Sequence, residues 1–219
     1  MRSRYELKLK RRRSGQTDYR KRLKLLLARK PRIVVRKSLK HIRVQIASYS
    51  PKGDTISATA FSAELKKFGW NYSTNSLPAA YLTGMLCGLR AKSKGVGEAV
   101  LDIGINTSIK GSKLYAALKG AIDSGLKIPA NPEIFPSDAR IKGEHIIAYT
   151  SKLKKENPEK FKKRFSAYLS KKVDPEKIVY TFEEVKKKIR ESKHGVKHGS
   201  ESKLSSPLQK KVNEVFEHG

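Results

Sequence analysis

The sequence predicts an α/β fold, a mixed sheet with flanking helices, and three observations carry that prediction. Residues 32–61 read as three consecutive strands with short connections, the second alternating cleanly from His41 onward. Residues 78–93 and 114–122 place apolar side chains at three- and four-residue spacing, as helices with one buried face do. Between them Glu98-Ala99-Val100-Leu101-Asp102-Ile103, bounded by Gly97 and Gly104, fits a short strand at a sheet centre. The first three strands form an antiparallel meander, and the fourth joins by a crossover through the 78–93 helix.

Residues 1–16 form a basic arm. Arg2, Arg4, Lys8, Lys10, Arg11, Arg12 and Arg13 face a single acid, Glu6. Such a segment buries too little to order itself alone; against phosphates it can order, with Tyr5 available to stack. Residues 17–150 are the folded body. Asp18 is positioned to cap a helix on which Leu23, Leu26 and Leu27 make a narrow apolar stripe, with Arg20, Lys21 and Lys24 away from it. Pro31 stops that helix. The strand from Arg32 to Lys37 follows, then Ser38-Leu39-Lys40 as a tight connection. In the next strand Ile42, Val44 and Ile46 take one face, while His41, Arg43, Gln45 and Tyr49 take the other. Pro51-Lys52-Gly53-Asp54 is a turn, and residues 55–61 a third strand.

Residues 63–68 fit a short helix, and Trp70 beyond it either stacks on a base or packs over the core edge. Pro78 suits a first helical turn. Gly84 and Gly88 on that helix permit close packing against a sheet. The 104–113 loop feeds the next helix, and its Gly/Ser content offers free N–H groups and a positive dipole end to a phosphate. Capping by Ser112 is the plainer alternative, and the P-loop spacing is absent. Gly125 ends the helix, residues 128–136 with three prolines are extended, and Ser137 or Asp138 caps a helix through Ile141, His145, Ile146 and Tyr149. Residues 151–191 are a Lys-rich extension with helices at 158–169 and 182–191. Residues 192–219 read as a linker and a short helix at 208–216.

Charge narrows the function. The chain of 219 residues carries a net +29. Residues 1–43 hold 18 Lys/Arg against 2 acids, residues 44–145 hold 12 against 8, and residues 146–219 hold 19 against 10. Helix, strand and strand repeat one positive bias without evident acidic partners, which fits a surface for a polyanion. Nucleic acid leads; an anionic membrane surface is second, and a generic polybasic adaptor would use either. Cys87 sits in an apolar run as a small buried hydrophobe, and one cysteine excludes an intramolecular disulfide. No apolar run is long enough to span a membrane, and the N-terminus lacks a secretory h-region, so a cytosol-like compartment is expected.

The element order matches a ribonuclease H-like topology, which raises a metal-dependent nuclease as a rival. Such enzymes take carboxylates from the first strand, the first helix and the fourth strand; here only Asp102 stands at such a place. His194 and His198 have a metal-compatible spacing but sit in a Gly/Ser/Lys stretch with no cysteine or acidic cluster, so no metal, cofactor or catalytic residue is expected.

Four motifs point more directly. RRRxGxTDYxxRLxLL at 11–26, KPRxVVRKSxKHIRxQ at 30–45, AYLTGxLxGLRA at 80–91 and AVLDIGxN at 99–106 resemble one family. It is the archaeal/eukaryotic branch of the large-subunit ribosomal protein that binds 5S rRNA, number eighteen in the universal naming. The resemblance covers residues 4–149. It implies a ribonuclease H-like body without catalytic acids, in the central protuberance of the cytoplasmic large subunit. The implied partners are 5S rRNA, 23S-type rRNA and neighbouring ribosomal proteins. It also implies RNA contact by the arm (Arg4, Tyr5, Lys8, Lys10, Arg11, Arg12, Arg13) and by Tyr19, Arg20 and Arg22 after the TD pair. Around the first hairpin it implies contact by Arg36, Lys37, Lys40, His41, Arg43 and Gln45, and in the 104–113 loop by Lys110, Ser112 and Lys113.

Overall fold

The computed structural model describes residues 7–192. Helices α1 (Lys10–Arg13) and α2 (Tyr19–Leu27) precede strands β1 (Arg32–Lys37), β2 (Ile42–Ser48) and β3 (Thr55–Phe61). Helix α3 (Leu77–Ser93), strand β4 (Val100–Asp102) and helix α4 (Lys113–Asp123) complete the sheet layer. Five further helices follow: α5 (Asp138–Lys142), α6 (Glu144–Glu156), α7 (Pro158–Arg164), α8 (Ser166–Leu169) and α9 (Ile178–Glu191).

The strands lie in the order β3-β2-β1-β4. β1 is antiparallel to β2 and β2 to β3, whereas β4 joins β1 in parallel, as the crossover through α3 requires. Ile33, Val35, Ile42, Val44, Ile46, Ala58 and Ala60 are buried on one face, under α3 and α4. The alternation in β2 therefore falls as its sequence pattern indicates. A bulge between Ile46 and Ala47 shifts the register with β3.

The expected β4 is longer than the observed one. Glu98 makes only an isolated bridge with Lys127, and the ladder to β1 spans Val100–Asp102. Ser62–Phe68 is a 3-10 segment closed by Gly69 at φ 95°, and Trp70 beyond it is fully buried, which settles its role as core. Gly84 and Gly88 do not serve the sheet. A Cβ at Gly84 would lie 1.9 Å from the Ala117 carbonyl oxygen, and one at Gly88 1.9 Å from Ser124 Oγ, so both bring α3 against α4. Gly120 of α4 reciprocates, its missing Cβ leaving room for the Tyr81 carbonyl.

Two long helices expected from the sequence are broken. The run from Asp138 is cut at Gly143, where φ is 95°, and the 158–169 run is cut at Phe165. The proline-rich 128–136 stretch holds a 3-10 turn at Pro132–Ile134. Helix α9 begins four residues before its expected start, and Ile178, Phe182, Val185 and Ile189 enter the main core against α3. Residues Leu153, Phe161 and Phe165 form a small second cluster.

The helix α2 forms as expected, with Asp18 accepting from the backbone N–H groups of Arg20 and Lys21. Those bonds hold the Asp18 carboxyl below its ordinary pKa. Its leucine stripe, however, is not a buried one. No residue of α2 is buried, and Leu23 and Leu27 are 62% and 73% exposed. Tyr19, Arg22, Leu25 and Leu26 are the half-buried positions instead.

Candidate nucleic-acid interface

The sheet has a second face, opposite α3 and α4. Of the expected contact residues, Arg36, Arg43 and Gln45 lie on it, with Arg11, Tyr19 and Arg22 against it from the helices. Arg36 of β1 stands directly opposite Arg43 of β2, and Arg43 opposite Phe61 of β3, so these three share one row. Val34 stands opposite Gln45 in the next row. Helices α1 and α2 pass over this face and enclose a cleft of about 750 Å³. Arg11, Tyr19, Arg22, Arg36 and Gln45 all line it, together with Gly104 at the start of the 104–113 loop.

An ion network runs beneath the cleft. Arg32 is 2% exposed and donates to Asp102 Oδ2 at 2.8 Å and to Asp54 Oδ2 at 2.6 Å. Arg22 of α2 reaches the same Asp54 with two bonds, at 2.8 and 3.1 Å, which ties the helix to the β2–β3 turn. Arg36 donates to Asp102 Oδ1 at 3.0 Å and to the Asp102 carbonyl at 2.8 Å. The expectation of a basic face without acidic partners is thus corrected for three cations. Their partners come from a turn and from β4, distant in sequence and near in space. Removing one member of so buried a pair costs about 3–5 kcal/mol, because the other charge is left unpaired.

The remaining cations differ. The Arg43 side chain has neither an ion pair nor a hydrogen bond among the described residues, and its guanidinium carbon lies 5.2 Å from the Phe61 ring centroid. Lys37 and Lys40 are exposed. Burial lowers the pKa of Lys113, and the nearby Lys37 charge lowers it further, so hairpin and loop bring cations to one place. Lys110 lies 3.6 Å from Glu133 at the surface. Lys8, Lys10, Arg12, Arg13 and Arg20 are exposed, while Arg11 donates from Nε to Thr17. Arg4 and Tyr5 lie outside the described residues, as do His194, His198 and the 208–216 segment.

Two expected contacts are drawn inward. His41 Nδ1 lies 3.1 Å from Thr74 Oγ1 and 3.4 Å from Ser62 Oγ, with its ring 4.7 Å from that of Phe61. Ser112 is the N-cap residue of α4, yet its side chain makes no capping bond, and its Oγ is buried without a partner. Sequence reasoning missed Phe61, the platform beneath Arg43, and Arg32, the centre of the network. A strand-end aromatic signals only packing, and an arginine in a basic run gives no sign of burial.

Asp102 is committed to two arginines, and among the described residues no three His, Cys, Asp or Glu side chains are grouped to hold a metal. No helix among them is long and apolar enough to cross a membrane.

Comparison with known proteins agrees with the motifs. Residues 3–97 and 90–131 match the family described as "Ribosomal large subunit proteins 60S L5, and 50S L18". The chain is 50% identical over 192 residues to Large ribosomal subunit protein uL18 of Korarchaeum cryptofilum (strain OPF8), covering 88% of this chain and 97% of that one. It is 50% identical over 190 residues to the protein of the same name from Thermofilum pendens (strain DSM 2475 / Hrk 5), covering 87% and 97%. The chain therefore belongs to the uL18 family of large-subunit ribosomal proteins, structural constituents of the ribosome and not enzymes.

Proposed function

We propose that this ribosomal protein binds 5S rRNA and helps attach it to the 23S-type rRNA in the central protuberance, beside neighbouring ribosomal proteins. The observation that carries this reading is the cluster of cations around the first hairpin. Arg43 stands on the outer face of the sheet, and the exposed Lys37 ends β1 opposite Ile42. The exposed Lys40 lies in the connection between the two strands, and Lys113 at the start of α4 lies near Lys37. A rigid cluster of cations fits the regular backbone of a folded RNA, which proteins recognise by shape and phosphate position. The arm of residues 1–16 adds charge at one end of the body, with residues 17–150 as the RNA-binding unit and 151–191 as its helical extension. The strand order and the crossover through α3 support a ribonuclease H-like topology for that body.

The test is direct binding of the full chain to 5S rRNA and to an unrelated structured RNA of equal length, at one salt concentration. The 5S RNA should bind at least about tenfold tighter, about 1.4 kcal/mol. Equal affinity for both RNAs, with anionic vesicles competing equally well, would instead identify a generic polybasic adaptor.

A further inference from the structure

We propose that Arg36 is a positioning residue for RNA binding and that Arg43, directly opposite it, makes the phosphate contact. This rests on the RNA-binding reading above and assigns different work to two arginines that look alike in sequence.

Two guanidiniums opposite each other on adjacent strands repel unless something draws them apart. Here Asp102 draws one and Phe61 the other. Arg36 Nη1 donates to the carbonyls of Asp102 at 2.8 Å and Val35 at 3.0 Å, and Nη2 donates to Asp102 Oδ1 at 3.0 Å. Asp102 is only 5% exposed, so the Arg36 guanidinium is held from inside the protein by a carboxylate that it shares with Arg32. The same carboxylate oxygen accepts the Gly104 N–H at 2.8 Å. Gly104 has φ 62°, and a Cβ there would lie 2.8 Å from Arg36 Cζ, so the guanidinium rests against the first residue of the 104–113 loop. Arg36 thus clamps the root of the loop that carries Lys113 to the hairpin that carries Lys37.

Arg43 has the opposite surroundings. Its Cζ lies over the Phe61 ring, 5.2 Å from the centroid, and the ring takes none of its N–H groups. A cation held over an aromatic ring is attracted to it without using its N–H donors, which stay free for a phosphate.

Salt dependence separates the two roles, because each phosphate contact contributes roughly 0.7 to 0.9 to the slope of log affinity against log salt. The slope is measured for the full chain and for Arg43→Ala, Arg36→Ala and Arg36→Gln, each with 5S rRNA and with an unrelated duplex RNA. Arg43→Ala should lower the magnitude of the slope by about 0.7 to 0.9. Arg36→Ala should weaken binding about tenfold, a coupling of about 1.4 kcal/mol, with the slope unchanged. Arg36→Gln, uncharged but with one amide donor for Asp102, should recover part of the lost affinity. In the free protein, amide exchange at 104–113 should rise in Arg36→Ala and stay unchanged in Arg43→Ala. A slope loss in Arg36→Ala matching that of Arg43→Ala would overturn the inference, as would unchanged affinity. Wild-type protein binding both RNAs equally would overturn the 5S reading alone; phosphate counting does not depend on RNA sequence, so the slopes still decide the role of Arg36.

Discussion

Partial burial raises the Asp54 carboxyl, but bonds from Arg22 and Arg32 outweigh it and hold the group below its ordinary pKa of 3.8. A carboxyl depressed in the folded state stabilises that state above its unfolded pKa, and the benefit fades as pH falls through the folded value. Asp54→Asn should therefore unfold at lower urea than wild type at about pH 7, with the gap unchanged down to about pH 5. Below about pH 4 the gap should narrow as wild-type Asp54 takes up its proton. A gap of constant size to about pH 2 would show that shape, not charge, makes this residue matter. Asp54 sits in a turn whose Pro-Lys-Gly-Asp sequence is legible as a turn and as nothing more. Its role as the anchor of α2 comes from two arginines, 32 and 22 residues away in the chain.

At the scale of elements, legibility follows the range of the physics. The alternation in β2 identified its core face, because a period of two fixes both faces of a strand at once. The meander and the crossover followed from short connections. The α2 stripe shows the limit. Spacing places Leu23 and Leu27 on one side of a helix, but only the tertiary structure says that this side is exposed while Arg22 turns inward. Likewise Gly84 and Gly88 announce a close approach without saying that α4 makes it. The arm ends in α1, whose Lys10–Arg13 turn is exposed and carries four consecutive cations. Replacing Arg11, Arg12 and Arg13 by Ala should reduce the salt slope of RNA binding by about 2 to 3, if each neutralises one phosphate. Affinity should fall for every duplex tested, and the preference for 5S rRNA should persist, since phosphate contacts position without reading bases. An unchanged slope would remove the arm from the interface. A lost preference with an unchanged slope would give it a reading role instead.

The whole molecule is layered, with the cation-bearing face of the sheet on one side, α3 and α4 beneath it, and α9 beneath α3. The third layer is part of one core rather than an appendage. Phe182 is 1% exposed and lies 5.6 Å from the Tyr81 ring of α3. Gly143, ahead of α6, packs near both Pro78 and Ile178. This arrangement separates stability from binding, because the ring of Phe182 packs on α3, and α3 covers the face of the sheet opposite Arg43. Phe182→Ala should cost about 3–5 kcal/mol, the range for truncating a buried aromatic. The lone tryptophan, Trp70, is itself fully buried, so its fluorescence reports the main core. Fluorescence and far-ultraviolet circular dichroism should then lose structure in one coincident transition, shifted to lower temperature in the variant. Below that transition the variant should bind RNA with wild-type affinity and salt slope. Two separate transitions would mean that residues 151–191 unfold as their own unit, and a binding defect in the folded variant would mean that α9 shapes the RNA face across the core.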